Sequence, residues 1–362
     1  HHHYRDRFSD PSLQWSIAEE ASPVRRIAAT VIAVTLLGAL ASCSSGSSGS
    51  PVTLRLGYFP NLTHATALVG VKEGLFDRSL GSKVKLQTST FNAGPAEVQA
   101  LFSGALDAAY LGPNSAINAF TQSHGSAIVV VSGATSGGAQ LVVKPSITAP
   151  AQLRGTKLAT PQLGNTQDVA LRFWLKGQGL TSDTQGGGDV SIEPQANSTA
   201  VQAFQTGAIQ GGWEPEPYAA QMVAAGGHVL VDERSQWAGG RFATTLLAVR
   251  KAFLAAHPAA VKALLQGQVL ANDFVNQHPA QAQADAAAEI AAIAGKAPSA
   301  KVVAAAWPEL TFTDDPIAGS LQIAANHGAA VGIAKSINLS GLVDVTLLNQ
   351  VLASAHETAV AS

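Results

Sequence analysis

Short apolar runs and longer amphipathic stretches alternate along the chain from Val52 onward. "TLRLGYF" (53–59) predicts a strand ending in a Pro–Asn loop, and "HATALVGVKEGLF" (64–76) predicts a helix with apolar residues at helical spacing. "AIVVVSGAT" (127–135), "AQLVVKP" (139–145), "HVLVDE" (228–233) and "FATTLLAVR" (242–250) predict further strands. Residues 146–161 predict a short helix at Pro150–Leu153 and a strand at Lys157–Thr160. From Lys251 the chain turns Ala-rich and helical to its end.

One part of this pattern occurs twice. "VQALFSGALDAAYLGP" (98–113) aligns without a gap to "VQAFQTGAIQGGWEPE" (201–216), with Val98, Gln99, Ala100, Gly104 and Ala105 recurring as Val201, Gln202, Ala203, Gly207 and Ala208. Each copy follows a strand-like run, "KVKLQTSTF" or "DVSIEP", and a small-residue helix start, "NAGPAE" or "NSTA". Strand, helix, Gly turn, strand is a βαβ unit, and two of them predict two similar α/β lobes. The helical C-terminal stretch has no lobe of its own to build and is expected to pack on the first. The chain is then expected to cross between lobes near Val142–Pro145 and near Thr244–Ala248, a two-strand hinge that allows closure around a guest.

Loops at the carboxyl ends of parallel strands are where open α/β sheets bind ligands. Here those loops are "PNLTHA", "GPNSA", "PQLGNTQD" and "WEPEP". Three lead into helix starts rich in Asn, Ser, Thr and Gly. A helix start carries N–H groups without internal partners and a partial positive charge, which side chains can cap or an anion can take. Asn114–Ser115 on one lobe and Gly164, Asn165, Thr166 and Gln167 on the other are therefore expected to clamp an anion with neutral donors. Asn61 sits in the first of these loops. His64 is placed either to donate to the same anion or to start its helix. Glu214 and Glu216, beside prolines, either face an ammonium or hydroxyl on the far end of a ligand or form a rigid turn.

The N-terminus reads differently. Arg25 and Arg26 precede an apolar run from Ile27 to Ala41, which ends in "LASC" with Cys43 as the only cysteine. This describes a secretory signal, and "LASC" resembles a bacterial lipobox whose cysteine is lipidated. "SSGSSGSP" then reads as a flexible tether. Residues 1–23 are long and mixed in charge for a signal n-region, so translation is expected to start at Val24. The resulting organisation is a signal region at 1–42, a tether at 43–51, a first lobe at 52–143 and 245–362, and a second lobe at 144–244.

The motifs "GYFPNLTHATALVG", "FNAGPAEVQALFSGALDAAYLGP", "APAQLRGTKLATPQLGNTQDVALRFWL", "GGWEPEPYAAQMV", "RFATTLLAVRKAFLAAHP" and "LSGLVDVTLLNQVL" resemble those of solute-binding proteins of the nitrate, taurine and aliphatic-sulfonate import group. The resemblance runs in order from about Val52 to the end and looks closest to the aliphatic-sulfonate branch. It implies an α/β fold of the type II periplasmic-binding-protein kind, two βα lobes joined by a two-strand hinge. It also implies a small anionic ligand held by Asn61–His64, Gly112–Ser115 and Gly164–Gln167, with the Trp213–Glu214 loop lining the cleft. Its implied partners are an ABC permease and its ATPase, with a lipid anchor at the outer face of the cell membrane.

Composition bears on what remains. Hydrophobic residues make up 46% of the 362 and charged residues 13%, as in a globular chain. Acidic and basic residues nearly balance at 24 and 22, which does not predict a nucleic-acid face. With its one thiol at the signal boundary, the mature chain makes no internal disulfide, and fold-related enzymes that need a cysteine are not expected to have their chemistry here. No cofactor or metal is expected, no enzymatic activity, and a monomer is.

Overall fold

The computed structural model describes residues 49–362 except Ser336, so the signal region, its lipobox and Cys43 lie outside the described residues. The first strands are β1 (Val52–Tyr58), β2 (Val84–Thr90), β3 (Ala108–Leu111), β4 (Ile128–Gly137) and β5 (Ala139–Val143). They are followed by β6 (Lys157–Thr160), β7 (Ser191–Pro194), β8 (Gly211–Pro215), β9 (His228–Asp232), β10 (Ala243–Arg250) and β11 (Leu310–Phe312). The helices between them are α1 (Ala65–Lys72), α2 (Leu75–Leu80), α3 (Gly94–Phe102), α4 (Pro113–Gln122), α5 (Thr166–Gly177), α6 (Asn197–Thr206) and α7 (Tyr218–Ala224). The C-terminal set is α8 (Lys251–Ala256), α9 (Pro258–Gln277), α10 (Pro279–Ala294), α11 (Ala300–Ala306), α12 (Ala318–Ala330) and α13 (Thr346–Ser354).

Two mixed sheets result, one in the order β11-β4-β10-β3-β1-β2 and the other in the order β7-β6-β8-β5-β9. Read from β2 and from β7, they have the same plan. A central strand lies parallel to both its neighbours, β1 between β2 and β3 and β6 between β7 and β8. An antiparallel strand then follows, β10 against β3 and β5 against β8. Leu56 pairs with Ala108 in one sheet and Leu158 with Gly211 in the other. Ala108 and Gly211 are equivalent positions of the sequence repeat, so the repeat is one of topology.

Each sheet is covered on both faces, as a largely parallel core requires. Leu54, Leu56 and Tyr58 of β1 face α1, α2 and α9, whereas Ala109 and Leu111 of β3 face α3 and α4. In the second sheet Leu141, Leu158 and Trp213 face α5, while Val142 and Ala159 face α6 and α7. Alternation along each strand makes these assignments.

Four details depart from the sequence reading. The helix expected over 64–76 breaks at Gly74 (φ 67°), which separates α1 from α2. β5 hydrogen-bonds in the second sheet, so the first crossing falls at Gly138 and not near Val142–Pro145. Gly137 and Gly138 both take positive φ (75° and 82°), which lets the chain leave one sheet and enter the other within a single residue. β10 lies wholly in the first sheet, so the return crossing is the segment between Asp232 and Ala243, not Thr244–Ala248. Thr244 Oγ1 of β10 donates to Gly137 O at the end of β4 at 2.7 Å, within the first sheet beside the crossing at Gly138. Finally, the C-terminal stretch does not pack on the first lobe alone: α12 touches α4 and α5, and α11 touches α7.

A Cβ added at Gly138 would lie 2.2 Å from Leu310 Cδ2, at a φ that L-residues rarely adopt. Gly138→Ala is expected to destabilise the protein by about 1–3 kcal/mol. Urea unfolding should show a lower midpoint with an unchanged slope.

Candidate functional site

Helices α3, α4 and α5 and the 3-10 turn Leu62–His64 all begin at one small cavity between the sheets. The cavity is lined by Asn61, Thr63 and His64, by Gly94, by Gly112 and Ser115, and by Asn165, Thr166 and Gln167, with Phe59, Pro215 and Thr244 completing it. Helix α4 begins with Pro113, which has no N–H to satisfy, after a Gly112 without a capping side chain. In α5, Asn165 Oδ1 accepts from Asp168 N at 3.0 Å, so the cap serves the third helical amide. Neither helix can satisfy the amides of Asn114, Ser115, Thr166 and Gln167 from within.

Three side-chain oxygens are also without partners here. Ser115 Oγ, Thr166 Oγ1 and Asn61 Oδ1 are buried at this cavity with no hydrogen bond among the described residues. Buried polar atoms are nearly always paired, so these three leave hydrogen-bonding capacity in the cavity for water or for a guest.

His64 adds a fourth polar group. Its Nδ1 accepts from Phe59 N at 3.2 Å, so Nε2 holds the proton as a neutral donor. Its ring stacks on Phe59 at 4.1 Å, and burial pushes its pKa down to about 3, so it carries no charge at neutral pH. Thr63 O accepts from Thr135 Oγ1 and from Thr245 Oγ1, each at 2.7 Å, which fixes this loop. Among the described residues, no Lys or Arg lines the cavity.

The loop before α5 is held by one buried ion pair. Asp168 accepts from Thr160 Oγ1 (2.7 Å), Gly164 N (2.9 Å) and Arg172 Nε (2.8 Å). Both side chains are almost fully buried, so the pair neutralises its own charge and adds no net charge to the helix start.

The predicted residues are thus partly brought together. Asn61, His64, Ser115, Asn165, Thr166 and Gln167 line one cavity. Gly164 does not, because its N–H is spent on Asp168, and it lines a neighbouring surface groove. Asn114 turns away and donates Nδ2 to Ala324 O at 3.2 Å. It lines a second, larger chamber with Phe173, Trp174, Trp237, Phe242 and His327, and Thr166 lines both spaces. Glu214 lines neither. Trp213 takes the α5 face of β8, so the next residue points to the other face, where Glu214 is fully buried with both oxygens unpartnered. Burial raises its pKa well above the ordinary value. Glu216 serves structure: Oε2 accepts from Ala220 N (3.1 Å), and its carbonyl accepts from Leu62 N (2.9 Å).

Residues that the sequence reading passed over close the cavity. Asn92 donates to Pro161 O and accepts from Asn197 N, each at 3.0 Å, bridging the end of β2 to the second sheet. Tyr218 Oη donates to Pro60 O at 2.9 Å, and Lys176 Nζ to Ala330 O at 2.8 Å. Arg234 pairs with Glu309, and Phe173 stacks on His327 at 3.7 Å. At the centre, a Cβ on Gly112 would lie 2.2 Å from Thr166 Oγ1, so the two helix starts meet closely only because residue 112 has no side chain. The lobes are shut.

Comparison with known proteins agrees with this geometry. The model of the NMT1-like family matches residues 47–294. The taurine-binding periplasmic protein of Escherichia coli is 27% identical over 235 residues, 65% of this chain and 69% of that protein. The periplasmic nitrate-binding protein NrtA of Synechocystis superposes with a TM-score of 0.70 at 13% identity, covering 84% of this chain and 89% of that one. The alkanesulfonate-binding protein SsuA of Xanthomonas axonopodis, solved with MOPS, superposes with a TM-score of 0.66 at 18% identity, covering 82% and 99%. These likenesses establish the periplasmic-binding-protein fold.

Burial makes the stability pH-dependent. Glu216 and Glu233, pushed up to about 8 from an ordinary 4.5, keep their protons in the folded chain where the unfolded chain has lost them. The folded state holds more protons between those values, so stability falls as pH rises through that window. His64 acts oppositely, but only between about 3 and 6.5. Between pH 6.5 and 8 the melting temperature is therefore expected to fall, and Glu216→Gln, which retains an acceptor for Ala220, should make the fall shallower. Differential scanning calorimetry across that range checks both.

Proposed function

Because the chain belongs to the NMT1-like family, we propose that it is a solute-binding lipoprotein that captures a small organic anion, most closely an aliphatic sulfonate, between its lobes. It then delivers the anion to the permease of an ABC importer driven by a separate ATPase. On this reading it works at the outer face of the cell membrane as a monomer, anchored through Cys43 and spaced from the surface by residues 44–51. It binds and releases, with no chemical step.

The observation that carries this reading is the pair of unpartnered hydroxyls, Ser115 Oγ and Thr166 Oγ1, buried in one cavity beside the helix starts of opposite lobes. A sulfonate spreads one negative charge over three oxygens. Those oxygens match donors from α4, from α5 and from His64 Nε2, and turning the Asn61 amide over adds a fourth. A doubly charged sulfate or phosphate would call for a cation that the lining lacks. Nitrate and taurine, named for NrtA and the E. coli relative, and bicarbonate present heads of similar kind, and a thiamine-related pyrimidine is a further alternative. The chamber beyond Thr166 favours a ligand longer than an inorganic ion. Micromolar affinity corresponds to about −8 kcal/mol. A few charge-assisted hydrogen bonds of about 1.5–3 kcal/mol each, less the cost of closure, reach that order.

Thermal-shift measurements against methanesulfonate, longer alkanesulfonates, taurine, nitrate, bicarbonate and pyrimidines test the ligand class. A ligand at about a hundred times its Kd adds roughly 2.7 kcal/mol of stability. Sulfonates are expected to stabilise; a response to neutral or cationic compounds with none to any anion sinks the reading. Thr166→Val removes one donor, and calorimetry should show affinity weakened by about ten- to a hundredfold with little change in the unligated melting temperature. Gly112→Ala places a methyl against Thr166 Oγ1 and should hold the lobes apart. Small-angle scattering is then expected to show a larger radius of gyration that saturating ligand no longer reduces.

A further inference from the structure

Among the described residues that line the larger chamber, one is an acid, Glu233. Glu233 Oε1 accepts from Trp213 Nε1 at 2.9 Å, and Oε2 accepts from Trp237 Nε1 at 3.3 Å, so two indoles fix the carboxyl plane at the chamber wall. Among the described residues, no Lys or Arg lines the chamber. The neighbouring Arg234 spends its guanidinium on Asp232 and Glu309. His327, the other titratable group of the wall, is stacked on Phe173 and lies 5.4 Å from Trp237, and burial lowers its pKa, which keeps it neutral. Glu233 is 2% exposed and has Asp232, another acid, beside it in the chain. Burial accordingly pushes it up to about 8, the state of a carboxyl that lacks a cation.

The rest of the wall is aromatic. Phe173, Trp174, Trp237, Phe242 and His327 come from both sides of the seam, with Trp237 stacked on Phe242 at 5.2 Å. Aromatic faces attract an organic cation through ring quadrupoles, and a cation beside Glu233 favours its carboxylate form, so binding releases the proton that the carboxyl otherwise keeps at neutral pH. An uncharged tail would fill the same space but leave Glu233 protonated. Thr166 is common to this chamber and to the polar cavity, so the two spaces adjoin at that residue.

We propose that the chamber recognises a tertiary or quaternary ammonium at the far end of the ligand, and hence that the solute is a zwitterion: an anionic head at Ser115 and Thr166, a short linker, and an organic cation against Glu233 and the rings of Trp237 and Phe173. The proposal rests on the reading of the polar cavity as an anion site. It moves the cation-binding role from Glu214, which the fold turns away, to Glu233, which the sequence reading did not consider.

Two isosteres isolate the charge. 3-(Trimethylammonio)propane-1-sulfonate and 4,4-dimethylpentane-1-sulfonate have the same shape and differ by one nitrogen for carbon. Calorimetry of the protein at neutral pH is expected to give at least tenfold tighter binding of the ammonium compound. Glu233→Gln should abolish that preference while leaving the affinity for methanesulfonate, which reaches only the head site, unchanged. Phe173→Leu, at a half-exposed position that tolerates the change, should reduce the preference several-fold and serves if Glu233→Gln does not fold. Equal or tighter binding of the carbon isostere by the unmodified protein overturns the proposal and leaves the anion site standing. Failure of all three sulfonates, methanesulfonate included, overturns the anion reading and this inference with it.

Discussion

An α-helix cannot hydrogen-bond its own first amides, and several helices of this protein begin at one enclosed point. Elsewhere such ends are solved by side chains or by water. Here Asn165 caps only Asp168, Pro113 removes one amide, and Gly112 offers no cap at all. The remaining donors converge from two sheets because each sheet has the same strand order and each helix follows the carboxyl end of a strand. The twofold topology therefore brings about the chemistry. One βαβ unit presents a single donor-rich end that water can satisfy; two facing units present a cavity that a partner must satisfy.

Bringing those ends together demands an absence of bulk and of charge. Gly112 permits the approach of Thr166, and any side chain there would keep the helix starts apart. Asp168, which would repel an anion from the start of α5, is tied to Arg172 and to Thr160 and Gly164, so its charge is answered within its own loop. The lobes are joined across the cavity by a small set of bonds: Asn92 to Pro161 and Asn197, Tyr218 to Pro60, Lys176 to Ala330, and the Arg234–Glu309 pair. Apolar contact adds to them, in the Phe173–His327 stack and where α11 packs on α7. Each such bond contributes about 0.5–1.5 kcal/mol net, the same order as one of a ligand's own hydrogen bonds.

Much of this was legible in the sequence, for local reasons. The repeat at 98–113 and 201–216 predicts two like lobes because βαβ units carry their topology in a short segment. The helix start at Gly164–Gln167 is visible because cap residues interrupt an apolar helix. What escaped depends on distant contacts or on backbone dihedrals. The crossing at Gly138 rests on two consecutive positive φ angles, and the strand-like "AQLVVKP" gives no sign of which sheet it joins. Asn114 looked like its partner Ser115, but Ala324 on α12, some two hundred residues away in sequence, claims its amide. β11 is three residues long and exists only because β4 offers an edge. The aromatic chamber draws Phe173, Trp237 and His327 from three separate elements, so no window of sequence contains it.

Neutral donors have a consequence for release. A buried Arg or Lys at the head site would lose its hydration when the lobes shut and regain it when they open, so its contribution would be large in both directions and sensitive to geometry. Amides and hydroxyls are desolvated at smaller penalty, and their dipoles are fixed by the helices before the guest arrives. Affinity then comes from having enough donors in place, and opening by a small angle removes the donors of one lobe together. That suits a protein which must let go of its guest when something else pulls the lobes apart. On the proposed reading the cation end is the more selective half: Glu233 is already oriented by two indoles, and only a cationic tail draws off the proton it keeps. Selectivity is then set where the charge is buried, and capture where it is absent.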